Sequence, residues 1–143
     1  MQRRLFMTMM LTLMLALGGC GRDDPLAELE AAVQQLQDNL EAKNGGDVIA
    51  QLHPQFEAQE QYDSDWAKRT MTGLFLRHRN IGIAALTRHS RLDPHARDLA
   101  YTDATLILSG ADNLIPDQAA QYQVHIEWRR DDGAWKLHRL QWK

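Results

Sequence analysis

Six histidines (His53, His78, His89, His95, His125 and His138) and nineteen carboxylates make up most of the titratable groups of this 143-residue chain, and none falls in a spacing that makes a reaction by itself. There is no HExxH pair, no phosphate-cradling glycine loop and no GxSxG elbow around Ser64, Ser90 or Ser109. The dispersed histidines form no local two-ligand motif, so neither a metal nor another cofactor is expected. His53, just ahead of Pro54, reads as a helix-end contact, and His125 as solvent-facing or at a subunit contact. One carboxylate stands apart. Asp103 shares a strand face with Tyr101 and Ile107 at period two. If that face lines an interior, burial would raise the carboxyl pKa and suit it to proton shuttling, with Tyr101 donating to a developing oxyanion. Asp103 and Tyr101 are therefore the catalytic candidates of a cofactor-free isomerase or lyase.

The single cysteine, Cys20, excludes an internal disulfide and a CxxC metal knuckle. It lies at the end of a recognisable segment. Arg3 and Arg4 precede an apolar run, Leu5 to Leu17, followed by Gly18 and Gly19. A positive start, a short apolar stretch and small residues at the cut describe an export signal, and the run is shorter than the roughly 20 residues of a spanning helix. Leu17-Gly18-Gly19-Cys20 resembles a bacterial lipobox. The resemblance implies cleavage before Cys20, a diacylglycerol on its thiol and an acylated amino group. Several acyl chains hold a protein at a bilayer where one holds it only marginally. Gly21 rather than aspartate after the cysteine implies, by the enteric sorting rule, the periplasmic face of the outer membrane, with the inner membrane as the alternative. The expected organisation is a signal peptide over 1–19, a lipidated tether over 20–24 and one domain over 25–143.

Charge is unevenly spread. The whole chain carries a formal −3, which excludes a globally basic nucleic-acid binder. Residues 23–65 hold eleven acids and one base, while residues 68–97 hold seven bases and one acid. Such asymmetry marks either an interaction face or complementary packing within the chain. With 44% hydrophobic and 24% charged residues, the composition is that of a globular domain.

Apolar periodicity supplies the elements. Asp24-Pro25 starts a helix whose Leu26, Leu29, Val33, Leu36 and Leu40 share one face, with Asn44-Gly45-Gly46 as its stop. Asp47 can cap a short helix over 48–52 that His53-Pro54 ends, followed by a short strand over 55–60. Ser64 or Asp65 begins a third helix, carrying Trp66, Met71 and Leu74 and ending near Arg77-His78. From Asn80 the period becomes two. Strands are predicted over 81–92, 99–108 and 122–128, with a loop over 110–118. Asp131-Asp132-Gly133 is a hairpin signal into a last strand, 134–142. Trp135 and Leu137 have one parity there and Leu140 and Trp142 the other, which predicts a bulge near His138-Arg139.

Helix, short helix, strand, helix and a four-strand antiparallel meander, over Pro25 to Lys143, resemble the nuclear transport factor 2-like fold of ketosteroid isomerases and polyketide cyclases. The resemblance is carried by that order and by Glu41 to Asp47, Leu52-His53-Pro54-Gln55-Phe56, and Asp132 to Leu137 ending at Trp142. It implies an α+β cone: three N-terminal helices packed on a curved, mostly antiparallel sheet. Trp66, Tyr122, Trp128 and Trp142 are candidates to line its pocket, where rings stack on an apolar ligand. The family's catalytic motif does not map onto this chain, so the leading expectation is a non-catalytic envelope lipoprotein whose cone binds a small apolar ligand or an envelope protein. The acid–base enzyme using Asp103 and Tyr101, and a structural homodimer paired through outer sheet faces, are the alternatives.

Overall fold

The structure is a computed structural model that describes residues 24–110 and 120–143. Cys20, with the expected signal and tether before Asp24 and most of the loop after Gly110, lies outside the described residues.

Helix α1 (Pro25–Glu41) starts where the sequence places a cap: the Asp24 carboxylate accepts the Leu26 N–H at 3.0 Å, and proline occupies the first turn, where no N–H is needed. Leu29, Val33 and Leu36 are buried along one face. Its N-terminal end touches the far hairpin, where the Trp135 indole donates to the Pro25 carbonyl and Arg130 pairs with Glu28 at 2.7 Å. Its C-terminal end reaches Ile83, whose carbonyl accepts from Gln37 at 3.0 Å.

The stop differs from expectation. The chain leaves α1 with Lys43 in the left-handed region at φ 58°, and the two glycines open helix α2 (Gly45–Ala50) instead, with Asn44 rather than Asp47 as the cap residue. A tertiary contact favours this turn: the Lys43 ammonium reaches the Phe75 carbonyl at 2.9 Å and the His78 carbonyl, placing a cation at the end of the next long helix. Strand β1 (Leu52–Ala58) begins earlier than predicted and contains His53-Pro54. Proline is tolerated because β1 is an edge strand, paired only with the last strand. Helix α3 (Ser64–Arg77) is capped by Asp63, and its first turn stacks Trp66 on Tyr62 at 4.4 Å.

Four antiparallel strands follow: β2 (Ile81–Leu92), β3 (Leu99–Gly110), β4 (Ala120–Asp131) and β5 (Ala134–Trp142). The sheet order is β1-β5-β4-β3-β2, and β1 runs parallel to β5. The predicted bulge is present. The register steps from Glu127↔Arg139 to Trp128↔Leu137, which leaves His138 unpaired and returns Leu140 and Trp142 to the core face. Asp132 and Gly133, at φ 51° and 79°, make the tight turn before β5. Gly110 is required for a different reason: a Cβ there would lie 2.6 Å from the His78 ring.

The core lies between α1 and the sheet face carrying Ala100, Thr102, Ile126 and Trp128. Trp128 is fully buried. Its indole N–H donates to the Thr102 hydroxyl at 3.0 Å, and Thr102 shares a 2.9 Å hydrogen bond with Ser90. Three strands thus meet in one satisfied polar chain inside an apolar shell, as buried polar groups require. Replacing Trp128 by alanine is expected to lower the unfolding free energy by about 3–5 kcal/mol, through the cavity and the orphaned hydroxyls. A urea melt measures it; a loss below about 1 kcal/mol would mean the indole is not a keystone of this core.

Candidate functional site

Strand parity divides the candidate residues between two faces. The inner face continues past the core toward the far ends of β2, β3 and β4, beyond the last residue of β5. There β2, β3 and β4 present Ile83 opposite Leu108, and Leu106 opposite Tyr122. All four are half-buried. Helix α3 stands across from the sheet with no buried residue, although it carries Met71, Leu74 and Phe75. Among the described residues, these side chains make an apolar mouth.

Of the four aromatic pocket candidates, Tyr122 occupies the mouth. Trp128 does not: at 0% exposure, with its N–H bonded to Thr102, it closes the opposite, packed end and offers no surface to a ligand. Trp66 and Trp142 are brought together, stacked at 6.1 Å, so each covers part of the other's ring. Gln59 brackets Trp142 by bonding both its N–H and its carbonyl. That stack pins the start of α3 to the end of β5.

Asp103 and Tyr101 lie on the outer face, not in the cone. The expectation of a buried, proton-accepting Asp103 is reversed. One carboxylate oxygen lies 2.6 Å from His125 Nδ1, the other accepts from Arg91 at 2.6 Å, and the side chain is about half exposed. The His125 hydrogen bond, followed by the Arg91 one, outweighs desolvation and holds the carboxyl below the usual range. A carboxylate stabilised in its charged form is a poor general base. Tyr101 donates its hydroxyl to Asp93 at 2.9 Å, and that bond raises its pKa. Asp93 also accepts the His95 and Ala96 N–H groups, which with the Tyr101 bond lower its pKa and fix the turn between β2 and β3. The two candidates share a face, yet each is committed to a neighbour.

A cleft of about 740 Å³ opens beside this network; Asp103, Gln123 and His125 line it together with Arg88, Lys143 and Trp142, the last a pocket candidate from the sequence. Sequence reading missed Thr105, Gln123 and Gln141 as site residues because neutral strand positions carry no motif. It also missed Arg91 and Asp93, whose roles depend on cross-strand register. Among the described residues, no three His, Cys, Asp or Glu side chains gather as a metal site.

Beyond the cleft, the same face holds a tighter pair. His53 and His138 are both buried, with ring centroids 4.9 Å apart at a steep angle, and His138 Nδ1 lies 2.9 Å from Glu127. His53 is thus a buried strand residue rather than a helix-end contact. Its Nδ1 accepts the Gln55 N–H at 3.0 Å, which requires that nitrogen unprotonated.

No protein-family model matches the chain, and no curated protein does. Solved structures do. The chain superposes on Bd1075 of Bdellovibrio bacteriovorus with a TM-score of 0.70 at 10% identity, covering 82% of this chain and 40% of that one. It thus spans less than half the length of Bd1075. It matches an NTF2-like protein of unknown function from Pseudomonas putida KT2440 with a TM-score of 0.69 at 12% identity, over 82% of this chain and 84% of that one. A protein provisionally named an aromatic ring hydroxylase, from Novosphingobium aromaticivorans, gives 0.69 at 15% identity, over 87% and 90%. Identities this low establish shared architecture alone: an α+β cone of the nuclear transport factor 2-like fold.

The buried histidines generate a pH prediction. Burial first, then the charge of His138, lowers the His53 pKa from its ordinary 6.5. A depressed pKa means the folded state favours the neutral ring, so its contribution is complete above about pH 6.5 and is lost as pH falls toward the folded value. Urea melts at pH 7.5 and 5.5 should show lower stability at the acid end, with His53→Asn reducing the difference. An unchanged difference in that variant would assign the acid sensitivity elsewhere.

Proposed function

We propose that this chain is an envelope lipoprotein, held by acyl chains on Cys20 at the periplasmic face of the outer membrane, whose cone binds a small apolar ligand without catalysis. The observation that carries the binding reading is the mouth. Ile83, Leu106, Leu108 and Tyr122 stay half-buried on one continuous inner face, and their rows contain no carboxylate, histidine or lysine. Such a surface recognises shape and apolar area, and the one titratable side chain within these rows is the Tyr122 phenol.

The non-catalytic part of the reading is supported by the outer network. Asp103, held in its charged form by His125 and Arg91, is ill suited to abstract a proton, and the Tyr101 hydroxyl is engaged by Asp93. The anchor rests on the run Leu17-Gly18-Gly19-Cys20 behind a positive, apolar leader. Gly18 and Gly19 supply the small residues that the lipobox resemblance requires before the cysteine.

Two measurements test the two halves separately. Cys20→Ser should abolish metabolic lipid labelling and leave uncut precursor; normal processing of that variant would end the lipoprotein reading. Native mass spectra of the wild-type chain should show a copurified apolar molecule, or saturable binding of an apolar fluorescent probe. Leu106→Asp should weaken that binding at least tenfold, about 1.4 kcal/mol, by placing a charge in the mouth. Unchanged binding in a folded Leu106→Asp protein would move the ligand out of the cone.

A further inference from the structure

Strand β1 joins β5 through its backbone at its two ends. Leu52 pairs with Leu137, and Glu57 and Ala58 pair with Arg139 and Leu140. Between these points the register advances five positions along β1 and two along β5. His53 to Phe56 therefore face the bulge residue His138 without a ladder of their own. Side chains bridge the gap. The His53 and His138 rings meet edge to face, with centroids 4.9 Å apart at 68°, and both are buried. Phe56 secures the same stretch from the core side.

The pair accommodates one added proton and resists a second. Glu127, largely buried and 2.9 Å from His138 Nδ1, stabilises a first proton on His138. Glu127 itself stands in register with Tyr101 and Arg139. The charge on His138 then opposes another on His53. From β4, Asp131 favours a charged His53 and Arg129 disfavours it. Arg129 Nε is itself buried without a hydrogen-bond acceptor among the described residues. The hydrogen bonding of His53 points the same way. Its Nδ1 accepts the Gln55 N–H at 3.0 Å, so the neutral ring carries its proton on Nε2. A second proton would sit on Nδ1, donor against donor, and the ring would have to leave its place.

Release of this stretch would be felt at the mouth. Of the strands, β1 is the one that α3 packs on most extensively. Gln59 and Glu60, at φ 51° and 58°, turn the chain from one to the other. Ala58 and Tyr62 close that turn by exchanging N–H···O bonds of 2.7 and 2.9 Å, and Tyr62 stacks on Trp66 in the first turn of α3. Helix α3 buries no residue of its own, so its position across from the sheet depends on this seat. We propose that His53 and His138 form an acid-operated latch: protonation of His53 frees the middle of β1 from β5, α3 loosens with it, and an apolar ligand in the mouth is let go. Ligand release rests on the apolar mouth proposed above; the latch does not.

Hydrogen exchange of the full chain, labelled with nitrogen-15, tests the latch at pH 7.5 and 5.0, with rates expressed as protection factors. Protection of Gln55, Phe56 and Met71 should fall about fivefold or more at the lower pH. At pH 5.0 these amides should be about tenfold or more less protected than Thr102, because a latch opens while the core stays shut. His53→Asn, whose amide oxygen still accepts from Gln55 but takes up no proton, should hold the protection of all three within about twofold. Glu127→Gln removes the countercharge of His138 and should raise the pH of release by about half a unit, so the test survives if His53→Asn fails to fold. Unchanged protection in the wild type overturns the latch. So does a fall that persists in His53→Asn, a response of Gln55 that Met71 does not share, or equal protection of Gln55 and Thr102. Phenylnaphthylamine, an uncharged apolar probe, should bind about fivefold more weakly at pH 5.0 in the wild type and equally at both pH values in His53→Asn. No probe binding at either pH, with the exchange changes intact, overturns the mouth and ligand release and supports the latch alone.

Discussion

Hydrogen bonding of one buried indole fixes the register of this sheet. Trp128 cannot enter the core without an acceptor for its N–H, and Thr102 supplies it from the neighbouring strand while bonding Ser90 on the next. Ser90 and Thr102 therefore stand at one level of β2 and β3, with Trp128 two positions along β4, opposite Ala100 and on the same face. Side chains on a strand alternate, so that level decides the direction of every other residue on the three strands. A slip of one position would bury Asp103, His125 and Arg91 and expose Leu106, Leu108 and Tyr122. The polar network on one face and the apolar mouth on the other thus share a single cause.

Much of the fold was legible in residue order because local signals agreed with one another. Asp24-Pro25, the 3–4 spacing of Leu29, Val33 and Leu36, the Asp132-Gly133 turn and the parity switch that demands a bulge at His138 are all decided within a few residues. Errors arose where a distant group overruled a local preference. Lys43 adopts the left-handed turn because Phe75 and His78 carbonyls lie within its reach, and Pro54 is admitted to a strand because that strand has a free edge. The site was less legible than the fold. Asp103 was a reasonable choice from its face and its companion, but whether a face points into a cone or out of it is settled by cross-strand pairing. The partners that hold its proton off, Arg91 and His125, sit 12 and 22 positions away.

The two faces differ in how they stay ordered. Inside, Trp128, Leu29 and Ala100 exclude water and are held by close packing. Outside, order comes from directional bonds: Asp93 to Tyr101, Asp103 to His125 and Arg91, Glu127 to His138. Exposed ion pairs such as Asp103–Arg91 contribute little to folding free energy, typically about 0–1 kcal/mol each, whereas Glu127 and His138 lie largely buried. Their effect is to hold rings and carboxylates in set orientations. A polar surface organised in that way, rather than left to mobile lysines and glutamates, keeps a fixed shape in solution.

Helix α1 gives the molecule a direction. Seventeen residues at about 1.5 Å each make a strut of roughly 25 Å. Its first residue rests against Trp135 beside the β4–β5 hairpin, and its last turns lie against Ile83. The start of the described chain therefore lies beside that hairpin, and the apolar mouth lies at the other end of the strut. Under the proposed anchoring at Cys20, that polarity would turn the mouth toward the aqueous compartment, so the proposed apolar ligand would be captured from solution rather than drawn sideways out of the leaflet.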